Sequence, residues 1–569
     1  MRGMARAGVC LGLMAMSLGT WAEGGAPDPA PIGARRDAVS VRLPGAAFVA
    51  METINPEHIR WHVRYLSHDL LEGRGTGQRG GDIAAEYLAT QFAEYGLKPA
   101  GDNGSYMQKV PLVGVTTLPA TQFSLVPKQG GAMNLKPLDE YVAYDQTQQT
   151  QSEVDAEIVY VGYGIEAPEY NWDDYKGVEV RGKVLLMLVN EPPSDDPKFF
   201  KGKALTYYGR WTYKYEEAAR RGAAGVILIH REDMASYPWE VVRNSNSGEK
   251  SFLKLEGPAL KVASWVQLEV AKKLAAAAGM DLDKMMADAR TREFRPVSLG
   301  AKLKARMVSG VRHFESNNVL AMLPGGDRYH RDEAVMYTAH YDHLGIRPDM
   351  PGDNIYNGAA DNATGCGILL EVARAYSESK ARPGRSILFA AVTAEEQGLL
   401  GSEYLGKHPP VPAGKISLDL NYDDVKPLGA PQEVEVSGAE RTTFYPWVEA
   451  TAKEFRLAIR PDARPEAGHF YRSDHFSLAR VGIPSFSINQ GMKFKGHDEA
   501  WGLAQDKEYT EKHYHQPSDE YHPEMDFVGD SAMARFGFAL GWEAASLSKL
   551  VGWQKGDEFE AARIKGSGQ

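Results

Sequence analysis

Six side chains in one stretch of this chain have the types that bind divalent metal and move a proton. They are His340, Asp361, the adjacent pair Glu395 and Glu396, Asp423 and His515. His340 lies in TAHYDHLG after the apolar run AVMY, and Asp361 lies in YNGAADNATG. The glutamate pair ends SILFAAVTA, Asp423 follows ISLDLNY, and His515 lies in YHQPSD. Five of the six can hold two metal ions, and the sixth can act as a base. Two Zn²⁺ ions about 3.5–4 Å apart are a recurring hydrolytic device. They need a bridging carboxylate, terminal N and O ligands, and an open position for water. Two dications against three carboxylates leave a net positive site, which lowers the pKa of a bound water and polarises a carbonyl. A carboxylate off the metal must then take the water's proton, and Glu395 and Glu396 can divide those tasks.

Residues so far apart in sequence need elements that bring them together. AVMYTA, RSILFAAV and KISLDLNY are short apolar, β-rich runs. They alternate with helical patterns such as CGILLEVARAY and TTFYPWVEATAKEF. This alternation predicts an α/β fold, a mostly parallel sheet with helices on both faces. Ligands in such folds collect at the carboxyl ends of the strands, where each of these runs meets a His, a Glu pair or an Asp.

On these motifs the chain resembles the di-zinc aminopeptidase and glutamate carboxypeptidase family of metallopeptidases. The matching segments are TAHYDHLG, GDNIYNGAADNATG, TAEEQGLLGS, NYDD, FYRSDHFSLARVGIP and YHQPSDEY. The match runs from about Ile59 to Leu547. It implies a phosphorylase/hydrolase-like zinc exopeptidase fold and a cofactor of two Zn²⁺. By resemblance, His340 and Asp423 are ligands of one zinc, Glu396 and His515 of the other, and Asp361 the bridge. Glu395 resembles the general base, and Asp342 the carboxylate that orients the His340 imidazole. Tyr514 is a candidate donor to the developing oxyanion. The N-x-D pattern falls on Asn421-Tyr422-Asp423, which leaves Asp419 as a residue inside the strand and Asp424 as a loop carboxylate. His343 reads as packing or hydrogen bonding, His469 and His475 as cleft-lining, and His513 as solvent-exposed.

Composition suits a large soluble enzyme. The chain has 569 residues, enough for two or three domains, and 43% hydrophobic content. The net charge of −11 argues against nucleic acid or an anionic membrane as partner, and no basic run contradicts that. Arg2 and Arg6 precede AGVCLGLMAMSLGT, which reads as a signal peptide over 1–22 and predicts a secreted or periplasmic protein without stable membrane association. Only Cys366 then remains, a small buried residue in a chain without disulfides.

Residues 23–47 read as a flexible lead-in, 48–134 and 291–551 as the catalytic domain, and 552–569 as a C-terminal tail. The Gly-rich segment around LLEGRGTGQRGG lies between two helical patterns and lacks the signature of a phosphate cradle. Between the two parts, 135–290 reads as a smaller β-rich α/β insert resembling a protease-associated domain, a lid without chemistry of its own. Its tyrosines and tryptophan at 207, 208, 211, 213 and 215 fit either a core and interface or a cleft wall.

Two functions of different class fit. One is a zinc exopeptidase acting on peptides, with an aminopeptidase ahead of a glutamate-carboxypeptidase type. The other is an inactive binding ectodomain on the same fold, which loss of a ligand or of the base would favour. Acids facing an α-amine, or Arg and Lys facing an α-carboxylate, separate the two exopeptidases, and Arg472 could serve the latter.

Overall fold

The strands Ser386–Val392, Ala334–His340, Ile416–Asn421 and Ser485–Ser487 lie side by side and parallel at the centre of the molecule. The first three are buried along their whole length, which is why they read as unbroken apolar runs. Alternate residues face opposite layers. Val335, Tyr337 and Ala339 pack with the helices Thr364–Glu378 and Val528–Ser546, while Ala334 and Met336 pack with Leu405 and Leu478 beneath. The computed structural model describes residues 41 and 43–567, apart from 349 and 463. The expected signal peptide, and nearly all of the lead-in before the helix Gly45–Glu52, lie outside the described residues.

Antiparallel strands complete this sheet. The end of the strand Val297–Leu323 pairs with Ser386–Val392. The strand Met107–Thr117 pairs with residues 309–319 and takes Lys250–Leu253 on its far side. A second layer stacks Gln151–Tyr160, Val184–Leu188, Gly225–His230 and Val262–Gln267 in parallel, with Tyr141–Tyr144 antiparallel at the edge. Separate apolar cores cover its two faces.

The strand Val297–Leu323 is 27 residues long and belongs to both layers. Its first half alternates strictly: Ala301, Leu303, Ala305 and Met307 are buried while Lys302, Lys304 and Arg306 are exposed. That half pairs with Gln151–Tyr160 and with Gln122–Val126. The second layer therefore draws on strands before residue 135 and after residue 290, and Lys250–Leu253, inside those limits, pairs into the catalytic sheet. At the other end the segment expected as a tail packs back: Trp553 and Phe559 are buried, and Arg563 donates to the carbonyl oxygens of Ile416 and Val551 at 2.8 and 2.9 Å. No helix among the described residues is long and apolar enough to cross a membrane.

Two glycines let the helix Val528–Ser546 press onto the central strands. A Cβ at Gly537 would lie 1.7 Å from the Tyr422 hydroxyl, and one at Gly541 1.8 Å from that of Tyr337. Both rings are fully buried, and the Tyr337 hydroxyl donates to the Gly537 carbonyl at 2.8 Å. Alanine is the better helix former by about 1 kcal/mol. Gly541→Ala should nonetheless lower the unfolding free energy by about 1–3 kcal/mol, the cost of overpacking a filled core. Urea melts of the two proteins check this, and an equal or higher midpoint for the alanine variant would show that the ring can step aside.

Candidate metal centre and catalytic site

The strand ends deliver the expected side chains to one crevice. His340 ends its strand, Glu395 and Glu396 follow Ser386–Val392, and Asp423 follows Ile416–Asn421. Asp361 sits in an irregular turn before the helix Thr364–Glu378, and His515 lies just past the helix Glu499–Lys512.

There the groups form two clusters. His340 Nε2 is 3.1 Å from Asp423 Oδ1 and 3.3 Å from Asp361 Oδ1. His515 Nε2 is 3.0 Å from Glu396 Oε2 and 3.4 Å from Asp361 Oδ2. Asp361 thus gives one oxygen to each cluster. Glu395 belongs to neither, with its Oε2 4.0 Å from His340 Nε2. Asp419 and Asp424 fall away from the centre. Asp419 is fully buried in its strand and accepts from the Thr338 hydroxyl at 3.0 Å, while Asp424 pairs with Lys426 at 2.9 Å.

The electrostatics are those of a site built around positive charge. Burial would hold both histidines neutral, but the carboxylates outweigh it. Asp423 and Glu395 raise His340 well above its ordinary value, and Glu396 and Asp361 raise His515 to about 10. Burial pushes Glu395 well above the carboxylate range, whereas hydrogen bonds to His340 and His515 bring Asp361 well below it. His343 Nδ1, His515 Nδ1 and Glu396 Oε1 are buried without a hydrogen-bond partner. Imidazole and carboxylate donors with unused atoms fit zinc. His340, Asp361 and Asp423 gather their ligand atoms within 4.8 Å of one another, and so do His343, Asp361 and Glu396.

Two side chains near His340 take contacts that the motif alone does not give. His343 Nδ1 stands 2.5 Å from Glu396 Oε1, which puts its ring in the second cluster. The chain pairs His343 with Gly75 just after the strand ends, which sends the ring inward. The Asp342 carboxylate does not orient His340 directly, since Oδ1 is 3.9 Å from Nδ1 and the Asp342 carbonyl oxygen lies nearer, at 3.1 Å. The carboxylate instead accepts from the Glu395 backbone N–H at 3.1 Å and the Thr76 hydroxyl at 2.8 Å, and so fixes the backbone of the candidate base.

Further supports carry no local motif. Asp519 accepts from the backbone N–H groups of Ala360 and Asp361, each at 3.0 Å, and holds the bridging turn. Arg74, fully buried, donates to the carbonyl oxygens of Leu66, Tyr341, Asn357 and Gly358. The Gly-rich segment therefore staples the turns carrying His343 and Asp361 and cradles no phosphate. Ser473 donates to Asp423 and itself accepts from Asn421. Cys366 is buried and free, with its thiol donating to the His340 carbonyl at 3.2 Å.

Tyr514 stacks on His515 with ring centroids 4.0 Å apart and lines the cavities on both sides of the centre. The second layer supplies one wall, with Tyr144, Tyr207, Arg210, Trp211 and Trp265. The aromatic group at 207–215 divides. Tyr207 and Trp211 reach the cavity, Tyr207 also packs 4.9 Å from Phe476, and Tyr208 and Tyr213 pack on each other. His469 and the buried His475 both line the cleft, and His513 is half-buried against Ser518.

Comparison with known proteins agrees with this geometry. Residues 318–534 match the family described as Peptidase family M28. Leupeptin-inactivating enzyme 1 of Streptomyces exfoliatus is 26% identical over 249 residues, 43% of this chain and 51% of that protein. Aminopeptidase YwaD of Bacillus subtilis is 28% identical over 207 residues, 36% of this chain and 39% of that one. The chain thus spans about half or less of these curated relatives. The solved aminopeptidase from Aneurinibacillus sp. strain AM-1 shares the fold, with a TM-score of 0.51 at 18% identity over 89% of this chain and 97% of its own. The matched segment, residues 318–534, holds every expected metal-centre side chain, and over it the chain is similar to peptidase family M28.

Proposed function

We propose that the chain is a zinc-dependent aminopeptidase that removes residues from the free amino terminus of peptides. One observation carries the reading: two acid–imidazole clusters share Asp361, and a further acid, Glu395, stands beside them outside both. Relatives named as an aminopeptidase and as a leupeptin-inactivating enzyme support it. His340, Asp361 and Asp423 would hold one Zn²⁺, and Asp361, Glu396 and His515 the other, with His343 against Glu396. When bound, the metal pair supplies positive charge that polarises the scissile carbonyl and makes water acidic.

The rest of the chemistry belongs to side chains of this chain. Glu395 accepts the proton of the attacking water and returns it to the leaving amine. Its backbone is fixed by Asp342, so the carboxylate is aimed before substrate arrives. The surplus of carboxylates attracts the ammonium of a free amino terminus. Tyr514 stands at the cleft as a hydrogen-bond donor to the developing oxyanion. The second layer, read as a protease-associated insert, narrows the entrance and favours short peptides. Presence of the base and every donor weighs against an inactive binding ectodomain. Residues 1–22 give the reading of an exported enzyme.

Four measurements test this. Elemental analysis should find about two zinc ions per chain. Asp519→Ala, which frees the bridging turn, should weaken zinc binding about 10–100-fold in a chelator competition; unchanged affinity would remove Asp519 from the site's support. Glu395→Gln should keep the metal and lose at least ~10²-fold in kcat, whereas Glu396→Gln should lose metal; the opposite pattern would exchange their roles. Acetylating the amino terminus of a peptide should abolish cleavage, and an acetylated peptide cut as fast as the free one refutes the amino-terminal direction.

A further inference from the structure

The two cavities at the metal centre hold about 200 and 170 Å³, below the roughly 300 Å³ at which ligand pockets commonly begin. A third cavity is a groove of about 1080 Å³, with Leu205, Val436, Tyr445, Leu457, Ile459 and Phe470 among its walls. It contains none of the metal-centre side chains. Glu435, Ser437 and His469 line both the groove and the cavity that holds Asp423, so the two adjoin.

One side of the groove is a sheet edge. The strand Ala458–Arg460 belongs to a small sheet with Glu433–Glu435 and Asn489–Gln490, and it pairs only with Glu433–Glu435. The pairing is parallel, and the Ala458 N–H donates to the Gln432 carbonyl at 3.0 Å. In a parallel ladder that phase turns the N–H and the carbonyl of Ile459 away from Glu433–Glu435, toward the open edge. Such edges are commonly covered by a charged side chain or a further strand. Arg460 does not cover this one, because Glu433 and Glu499 hold its guanidinium at 3.2 and 2.7 Å. Among the described residues no further strand pairs there. A backbone donor and acceptor therefore stand open beside apolar, half-buried Leu457 and Ile459. The opposite wall is fixed, since the Leu205 N–H donates to the Pro465 carbonyl at 2.8 Å. Pro461 ends the edge after Arg460, so pairing is short and the apolar walls must supply the rest.

We propose that this groove is a second peptide-binding site, in which an extended stretch of the substrate outside the catalytic cavities lies as an added strand against Ala458–Arg460. Backbone pairing to Ile459 gives affinity, and the walls take alternate apolar side chains of the added strand. The proposal rests on the peptidase reading above. It adds a preference, among the peptides that the entrance admits, for longer ones with apolar residues at every second position.

The zinc-loaded full chain is assayed on Leu-Gly-Gly amide, on Leu-Gly-Gly-Val-Thr-Val-Thr-Val amide and on the same long peptide with serine for valine. The valine peptide should have a KM about 10–100-fold below the other two at similar kcat, the worth of burying one or two valine side chains. Leu457→Glu, which puts a charge in the wall, should remove that advantage and leave Leu-Gly-Gly amide unaffected. N-methylation of either the valines or the threonines tests backbone pairing without altering the protein. One of the two sets should lose the advantage and the other keep it. Calorimetric binding of the long peptides to the Glu395→Gln protein reads the groove without turnover. Equal KM for all three peptides overturns the groove and leaves the peptidase reading standing, as does an advantage that survives Leu457→Glu or both N-methyl sets. Equal KM in a wild-type dimer that Leu457→Glu turns into a monomer gives the edge to a second copy instead. Valine-selective binding that Leu457→Glu abolishes, in a protein that cuts no peptide, supports the groove and overturns the peptidase reading.

Discussion

The structure depends on a repulsion that it must contain. Asp342, Asp361, Glu395, Glu396 and Asp423 share a crevice from which most water is excluded, and like charges at such separations act strongly on one another. Three devices hold them there. His340 and His515 lie between the acids. Backbone N–H groups are spent on the outer carboxylates, Glu395 on Asp342 and Asp361 on Asp519. Arg74 sits fully buried behind the centre, and the charges of Asp519, Asp361 and Asp342 help keep it protonated against burial. The parallel strands supply the convergence; these contacts make it tolerable.

This also marks what could be read along the chain. His340, Asp361, Glu395, Glu396, Asp423 and His515 announce themselves because each stands at the end of an apolar run or in a short turn, a local property. The choice of Asp423 over Asp419 and Asp424 is local too: strand alternation buries Asp419 against Thr338, and the chain turns Asp424 toward Lys426. Arg74, Thr76 and Asp519 act on backbone and side chains hundreds of residues away, and no spacing records that. His343 could have been suspected from its place three residues after His340 in one motif, but whether its ring turns inward depends on pairing with Gly75. Asp342 is next but one to His340 in sequence, yet its nearer partners, the Thr76 hydroxyl and the Glu395 backbone N–H, come from elsewhere in the chain. The fold class was legible from alternating strands and helices. The edges of the second layer were not, because one strand serves two sheets and crosses from one to the other without a turn.

The cleft is bipolar. Acids and imidazoles occupy the strand ends, and the facing wall carries Arg210, Lys250 and Arg472 among aromatic rings. Neither sheet makes this arrangement alone, since Arg472 comes from a catalytic loop and Arg210 from the second layer.

The strand Val297–Leu323 passes between those layers with partners on both sides of the crossing, residues 302–308 in one sheet and 309–319 in the other. Separating the layers would break a ladder of backbone bonds in the middle of a single extended segment. Lys250–Leu253 adds a second tie, being bonded to Met107–Thr117. The two walls are therefore cast as one piece. The width of the cleft between them thus follows from strand register, and a slip of either ladder would move one wall past the other.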